Sequence, residues 1–459
     1  MSRDLHLDLD PRFGVRGSLE RALRAAVRGG RLVPGTRLPS SRGLAVDLGV
    51  ARNTVAEVYT QLVAEGYLMS RRSAGTFVAP RHEASRDPML RGAAGRRLPV
   101  PVRYDLRPGR PNLDLFPQAD WFAALRRVLA GDYASALGYT DSQGAPRARA
   151  VLAEYLARVR GVEADPDCVV LCSGYRQGVA LVASALSRRG VTSVAVEAPG
   201  LPEVAEAFGH HGVQPVPLGV DRHGARIEEL DLLGVGGVVL TPAHQFPMGV
   251  ALSPARRGAL VDWARRRSAV IVEDDYDAEF RYDRQPVGAI QGLAPERVVY
   301  AGSVSKTLAP GIRLGWLVVP RYLLAAVVEE KRLADRHSSA LDQLALAELI
   351  ASGDYDRHIR RARAQYRRRR DELNAGMSVL RLVPSPADVM QAGLHTLVPL
   401  SSPTRERRLV ARLAAAGVAV NGLARYGPPD RSAGLVVGYA APSQHAWRPT
   451  VEALLAHLV

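Results

Sequence analysis

The sequence predicts an α/β protein in which a compact helix-turn-helix unit precedes a large domain built on a helix-covered sheet. Three observations carry this prediction. First, short apolar runs alternate with helical stretches from about residue 105 onward: VVLC at Val169, VTSVAVEAPG at Val191, GVGGVVLTPA at Gly234, AVIVEDDYD at Ala269, RVVYAGSVSK at Arg297 and RLGWLVVP at Arg313. Alternation at that spacing indicates a parallel sheet with helices on its faces. Second, residues from about 14 to 80 show helical periodicity that ends in a short hairpin. Third, the last hundred residues suggest a smaller α+β subdomain.

Within the first unit, SLERALRAAVRGG from Ser18 places Leu19, Leu23, Ala26 and Val27 on one face and closes at Gly29 and Gly30. Pro39 and Ser40 are start signals for a short helix that ends at Gly49. A third helix, ARNTVAEVYTQLVAEGYL, carries Val55, Val58, Tyr59 and Leu62 on one face and stops at Gly66. Two helices joined by a tight glycine turn make a helix-turn-helix. SRRSAGTFVAP then reads as a small hairpin. The organisation expected is residues 1–80 as this unit, 81–104 as a flexible basic linker rich in Arg, Gly, Ala and Pro, and 105–459 as the large domain.

The 459 residues carry a formal charge of +15 and a hydrophobic fraction of 47%. The charge favours a polyanionic partner, with double-stranded DNA first. No apolar run approaches the eighteen or so residues of a membrane helix, and MSRDLHLDLD has no apolar leader, so no membrane association and a cytoplasmic location are expected. Cys168 and Cys172 suit neither a disulfide framework nor a zinc site and read as core residues. No metal site is expected.

The chemistry is concentrated around SVSKTLAPGIRLGW. Of the 61 Lys and Arg residues, 59 are arginine, and the two lysines are Lys306 and Lys331. A lysine kept in an apolar, glycine-punctuated segment of such a chain points to a task that guanidinium cannot do: losing a proton and adding to an aldehyde as a Schiff base. The surroundings fit a phosphorylated aldehyde, pyridoxal 5′-phosphate. Ser303 and Arg313 would meet a phosphate dianion. Asp274, at the end of an apolar strand, would pair with the pyridinium nitrogen and keep the ring an electron sink. Tyr276 would donate to the ring's phenolic oxygen. In VVLCSGYRQG, a turn at Ser173 and Gly174 opens a helix whose Tyr175 and Arg176 N–H groups would receive the phosphate.

These segments, in this order, resemble the aminotransferases of PLP fold type I. By that resemblance Gln245 of TPAHQFPMG contacts the ring oxygen. GVAVNGLARYG and GLVVGYAAP resemble the strand pair that supplies a substrate-carboxylate arginine. Val436 stands where many members have that arginine, and Arg425 is the replacement expected for effector binding. Leu201 stands where members often stack an aromatic residue. PGTRLPSSRGLA, LGVARNTV and EGYLMSRRSAGTFV resemble the GntR-type winged helix. That resemblance implies Arg42 on the second helix against DNA, Arg52, Asn53 and Thr54 in the major groove, and a wing from Arg71 and Arg72 to Gly75 toward the minor groove. Ala51 replaces the usual capping Ser or Thr. Over essentially the full chain the combination resembles the MocR-type subfamily of GntR regulators. It implies a homodimeric, PLP-dependent transcriptional regulator that senses an amine, an amino acid or PLP itself, without physiological turnover; the alternative is an active aminotransferase with an appended DNA-binding domain. The arginine-rich stretch from Arg357 reads as a solvated helix face.

Overall fold

The computed structural model describes residues 7, 9–72, 74–80, 102–131, 133–282, 287–380, 382, 392–427 and 433–458. The chain divides into two compact units, Met1–Leu98 and Pro99–Val459. Of the stretch read as a linker, residues 81–101 lie outside the described residues, as does Ser73 of the hairpin.

The first unit contains α1 (Gly14–Arg28), α2 (Ser41–Leu48) and α3 (Arg52–Ala64), then the antiparallel strands β1 (Leu68–Arg71) and β2 (Gly75–Val78). Its core is the predicted one: Leu19, Leu23, Ala26, Val27, Val55, Val58, Tyr59 and Leu62 are all buried. Helix α1 begins four residues before Ser18. Ser18 is an interior residue of the helix whose buried hydroxyl donates back to the Asp10 carbonyl, so it extends the preceding turn instead of capping. Ser40 does cap α2, accepting from Gly43 N–H at 3.0 Å, and Gly49 ends that helix in the left-handed region at φ +64°.

In the second unit β3 (Tyr104–Asp105), α4 (Gln118–Ala130), α5 (Tyr133–Leu137) and α6 (Pro146–Arg160) lead into β4 (Val169–Cys172) and α7 (Tyr175–Arg188). Next come β5 (Ser193–Ala198), α8 (Pro202–His210), β6 (Gln214–Asp221), β7 (Gly224–Ala225), α9 (Leu230–Leu233), β8 (Gly237–Leu240) and α10 (Pro254–Arg267). The sheet is completed by β9 (Val270–Asp274), β10 (Val298–Ser303) and β11 (Gly315–Val318), in the order β4-β11-β10-β9-β8-β5-β6-β7. Helices α11 (Arg321–Asp335), α12 (Ala340–Ala351) and α13 (Asp354–Val379) follow, then β12 (His395–Leu400), α14 (Pro403–Ala415), β13 (Val418–Ala419), β14 (Asn421–Gly422), β15 (Ala433–Gly438) and α15 (Trp447–Leu458). The sheet β12-β15-β14 forms the smaller α+β part.

Strands β5, β6, β8, β9 and β10 pair in parallel, whereas β11 runs antiparallel to both β10 and β4. The expected parallel sheet is therefore mixed. The loop bearing Lys306 turns straight back from β10 into β11 without a helix long enough to cross over. Strand β6 was not foreseen, because its sequence QPVPLGVD carries two prolines and is half-buried, which marks a strand near the sheet's edge. Apolar side chains pack on both faces of the sheet, as a doubly covered sheet requires. Helix α13 also departs from its reading. Its Arg369 and Arg370 are buried, and Arg369 donates to the Ala440 carbonyl at 2.7 Å. Part of the arginine-rich face is thus an internal prop. Both cysteines are free and buried, and burial pushes the Cys172 thiol up to about 12.

Candidate functional site

The parallel strands β8, β9 and β10 end on one side of the sheet, where α/β proteins bind ligands. A cavity of about 650 Å³ opens there. Asp274 is the last residue of β9 and Ser303 the last of β10, so adjacent strands deliver a carboxylate and a hydroxyl to one wall. Lys306 lies three residues beyond Ser303 in the turn toward β11. Its Nζ donates to the Gly109 carbonyl at 2.6 Å. Burial holds the Lys306 amine below its ordinary range, opposed by Asp274 and Asp277, which favours the neutral, nucleophilic form. The other lysine, Lys331, is fully buried and bonded to Asp335 and Ser338.

Asp274 is 5% exposed, and burial raises its carboxyl well above the usual range. Its Oδ1 makes no hydrogen bond of ordinary length, and the one group turned toward the carboxyl is the nearby Tyr175 hydroxyl. A buried acceptor left open at a cavity wall matches a ligand that brings a positive N–H. At the start of α7, Gly174 occupies the N-cap at φ +88° without a side-chain cap, so the first N–H groups of the helix are open. A Cβ on Gly174 would come within 3.2 Å of the Arg313 guanidinium. Arg313 itself sits at φ +54° and donates to the Ser173 carbonyl. Open amides, Ser303 and Arg313 together form a cradle for a dianion.

Of the sequence-predicted residues, the cavity brings together Lys306, Asp274, Tyr276, Ser303, Arg313, Tyr175, Arg176 and Arg425, with Gly174 directly behind Arg313. Gln245 is not among its walls. The side chain is 1% exposed; Nε2 donates to the carbonyls of Pro199 and Phe246, and Oε1 accepts from Met248 N–H. With both ends of its amide engaged, Gln245 braces its own loop and has no donor left for a ring oxygen. Val436 is buried against Leu423 and Tyr426. Arg425 instead reaches the cavity from a short 3-10 turn, Leu423–Tyr426.

Sequence reasoning missed Glu203, Arg107 and Arg110, which also line the cavity. Arg107 and Arg110 both pair with Asp105. It also missed a buried trio behind Tyr276 formed by His244, Asp277 and His395. The adjacent dipeptide His244-Gln245 and the last aspartate of DDYD were visible, but their meeting across 33 residues follows no local pattern.

In the first unit Arg42, Arg52 and Asn53 are exposed and Thr54 is half-buried at the starts of α2 and α3. Ala51 provides no side-chain cap. Arg71 lies over the Phe77 ring at 5.1 Å, Arg72 is exposed at the hairpin tip, and Gly75 takes φ +105° beside the Arg37 guanidinium. Among the described residues, no helix is long and apolar enough to cross a membrane.

Residues 16–78 match the family of bacterial regulatory proteins of the gntR type, and residues 109–428 match aminotransferase class I and II. The probable rhizopine catabolism regulatory protein MocR of Rhizobium meliloti is 33% identical over 98% of this chain and 95% of its own length. The HTH-type pyridoxine biosynthesis transcriptional regulator PdxR of Corynebacterium glutamicum is 30% identical over 98% and 97%. Among solved structures, Pyrococcus horikoshii kynurenine aminotransferase, in complex with PMP, superposes with a TM-score of 0.69 at 24% identity over 77% of this chain and 90% of that one. LysN, an α-aminoadipate aminotransferase from Thermus thermophilus complexed with N-(5′-phosphopyridoxyl)-L-leucine, gives 0.67 at 25% identity over 77% and 92%. Site geometry, fold and relatives agree, and the chain belongs to the MocR-type transcriptional regulators, in which a GntR-family helix-turn-helix unit is joined to an aminotransferase class I and II domain.

Proposed function

We propose that this regulator holds pyridoxal 5′-phosphate on Lys306 and reads an amine, an amino acid or PLP itself through that lysine. The observation that carries the reading is the convergence of Lys306, the buried Asp274 carboxyl with its open Oδ1 and the Ser303–Arg313 cradle in one cavity. When bound, the cofactor supplies an aldehyde that condenses reversibly with amines and a ring that withdraws electrons. Ser303, Arg313 and the N–H groups of Tyr175 and Arg176 hold the phosphate. Asp274 would take the ring N–H, and Tyr276 would donate to the phenolic oxygen. Lys306, whose amine the buried site keeps toward its neutral form, would be the group that an effector amine replaces on the bound cofactor. Two closures of the large domain that differ in affinity for that state transmit the signal.

Arg425 and Glu203 both line the cavity. No ion pair joins them among the described residues, although both charges bear on Tyr426. A guanidinium and a carboxylate lining one cavity, each without an ion-pair partner among the described residues, suit an effector that carries a carboxylate together with a second amino or hydroxyl group. DNA is met by Arg42, Arg52, Asn53 and Thr54 in the major groove, with the hairpin residues Arg71, Arg72 and Gly75 toward the minor groove. The protein works as a cytoplasmic homodimer carrying two winged helices.

The test is a spectroscopic titration of PLP-loaded protein with mono-amino and diamino acids, with keto-acid release followed in parallel. Binding that weakens in Arg425→Gln, loses its preference for the second amino group in Glu203→Gln and releases no keto acid supports this reading. Sustained keto-acid formation identifies a working aminotransferase instead.

A further inference from the structure

His244, Asp277 and His395 are 3%, 2% and 4% exposed, and their ligating atoms lie within 4.8 Å of one another. Two histidines and a carboxylate are metal-ligand types. Here, however, the space around the key nitrogen is filled. His244 Nδ1 lies 2.8 Å from Asp277 Oδ2 and 3.0 Å from the Tyr276 hydroxyl. The Gly393 backbone closes the remaining side: a Cβ there would stand 2.0 Å from His244 Cε1, 2.5 Å from Nδ1 and 2.8 Å from Asp277 Oδ2. Gly393 is fixed in place, since its carbonyl accepts from the Tyr282 and Tyr439 hydroxyls. His395 packs with its ring tilted 37° and centred 5.0 Å from that of His244, and points Nε2 at the Pro247 carbonyl, 3.3 Å away.

We infer that this trio is a positioning device for the reactive site: Asp277 fixes His244 with its proton on Nδ1, and that N–H, shared with Tyr276, keeps the Tyr276 proton off the imidazole and available to an acceptor in the cavity. A carboxylate beside Nδ1 selects the Nδ1–H tautomer, as carboxylate–histidine pairs do elsewhere. The Nδ1–H then donates to Asp277 Oδ2 and to the Tyr276 oxygen. A phenol that accepts from His244 has its own O–H to give, and the Asp277 carboxylate beside it is the acceptor with which a ligand oxygen in the cavity competes. With Nδ1 unprotonated, Tyr276 would donate to the imidazole and turn its proton away from the ligand. The charged and titratable groups around the device are Asp274 and Glu197 near Tyr276, Lys306 across the cavity, and His395 beside His244. Burial, with His244 as neighbour, keeps His395 neutral down to about 3, so no second cation competes for Asp277. The Tyr276 phenol is held well above its ordinary range by burial and by Asp277 and Asp274, so it stays a donor.

This inference rests on the cofactor reading, and its test separates the two. PLP-loaded wild type, Tyr276→Phe, Asp277→Asn and the double variant are titrated with pH while the visible band is followed. Losing a donor to the ring's phenolic oxygen makes that oxygen hold its proton more tightly. The band's midpoint therefore moves up in Tyr276→Phe by about one unit or more, and in Asp277→Asn in the same direction. The double variant shows no further shift than Tyr276→Phe alone, a non-additivity that a purely structural role of Asp277 would not produce. A wild-type midpoint in Asp277→Asn beside a shifted Tyr276→Phe overturns the inference and leaves the cofactor reading intact; no visible band in the loaded wild type overturns both. Should Asp277→Asn fail to fold, ¹⁵N shifts of selectively labelled histidine in the wild type decide. His244 protonated at Nδ1 supports the inference, and an unprotonated Nδ1 overturns it.

Discussion

In the N-terminal unit, the side chains assigned to DNA stand in solvent: Arg42, Arg52 and Asn53 are exposed at helix starts. In the large unit the corresponding groups are withdrawn. Asp274 is 5% exposed with an open oxygen, Glu197 is pushed up to about 7 by burial although Thr241 bonds it, and the Lys306 amine is depressed. On the function proposed above, the difference reflects the ligands. A polyanion is met by long, hydrated charges that cost little to leave exposed. A small cofactor is met by groups that are poorly solvated until it arrives, and the surrounding fold must hold them there.

That contrast can be broken at the large unit first. Gly393→Ala forces a Cβ into the His244–Asp277 contact at φ +82°. It should destabilise the protein by about 3–4 kcal/mol, read as a lower thermal midpoint, and weaken PLP retention. Wild-type stability would show that the packing behind Tyr276 is soft.

Asp274→Asn sharpens the comparison because its effect depends on pH. Glu197, Glu273 and Asp274 are held above their ordinary values, so the folded chain binds more protons than the unfolded one. Stability of the cofactor-free protein therefore falls as pH rises from the ordinary 4.5 of the glutamates through about 7. The variant lacks the Asp274 share of that loss. Near pH 4 it should match wild type, and at pH 8 it should exceed it in denaturant unfolding. Its PLP affinity should drop roughly tenfold or more.

Effects at the first unit are smaller and confined to DNA. Arg52→Ala should weaken operator binding by roughly 1–2 kcal/mol and relax base preference, leaving the visible band of the large unit unchanged. The smallest effect is a gain: Ala51→Ser supplies the missing cap of α3 and should stabilise the unit by about 1 kcal/mol.

Much of this was legible in the chain. The apolar faces of α1 and α3, the buried run VVLC and the polar ends of β9 and β10 are local patterns, and local patterns survive folding. Lys306 stood out because arginine does the chain's other charge work. What escaped depends on long-range meeting. Strand β6 hid behind its prolines, and β11 reversed direction because a short turn cannot cross over. Gln245 looked available because its partners Pro199, Phe246 and Met248 are brought to it by backbone geometry. His244 and Asp277 meet only when β8 and β9 pair side by side.

The most direct measurement is the visible absorbance of PLP-treated protein, wild type beside Lys306→Ala, coupled to operator binding with and without added amine. The account predicts a band that disappears in Lys306→Ala and DNA affinity that responds to the amine only in wild type. A band that persists without Lys306, or DNA binding that responds equally in both proteins, would contradict it.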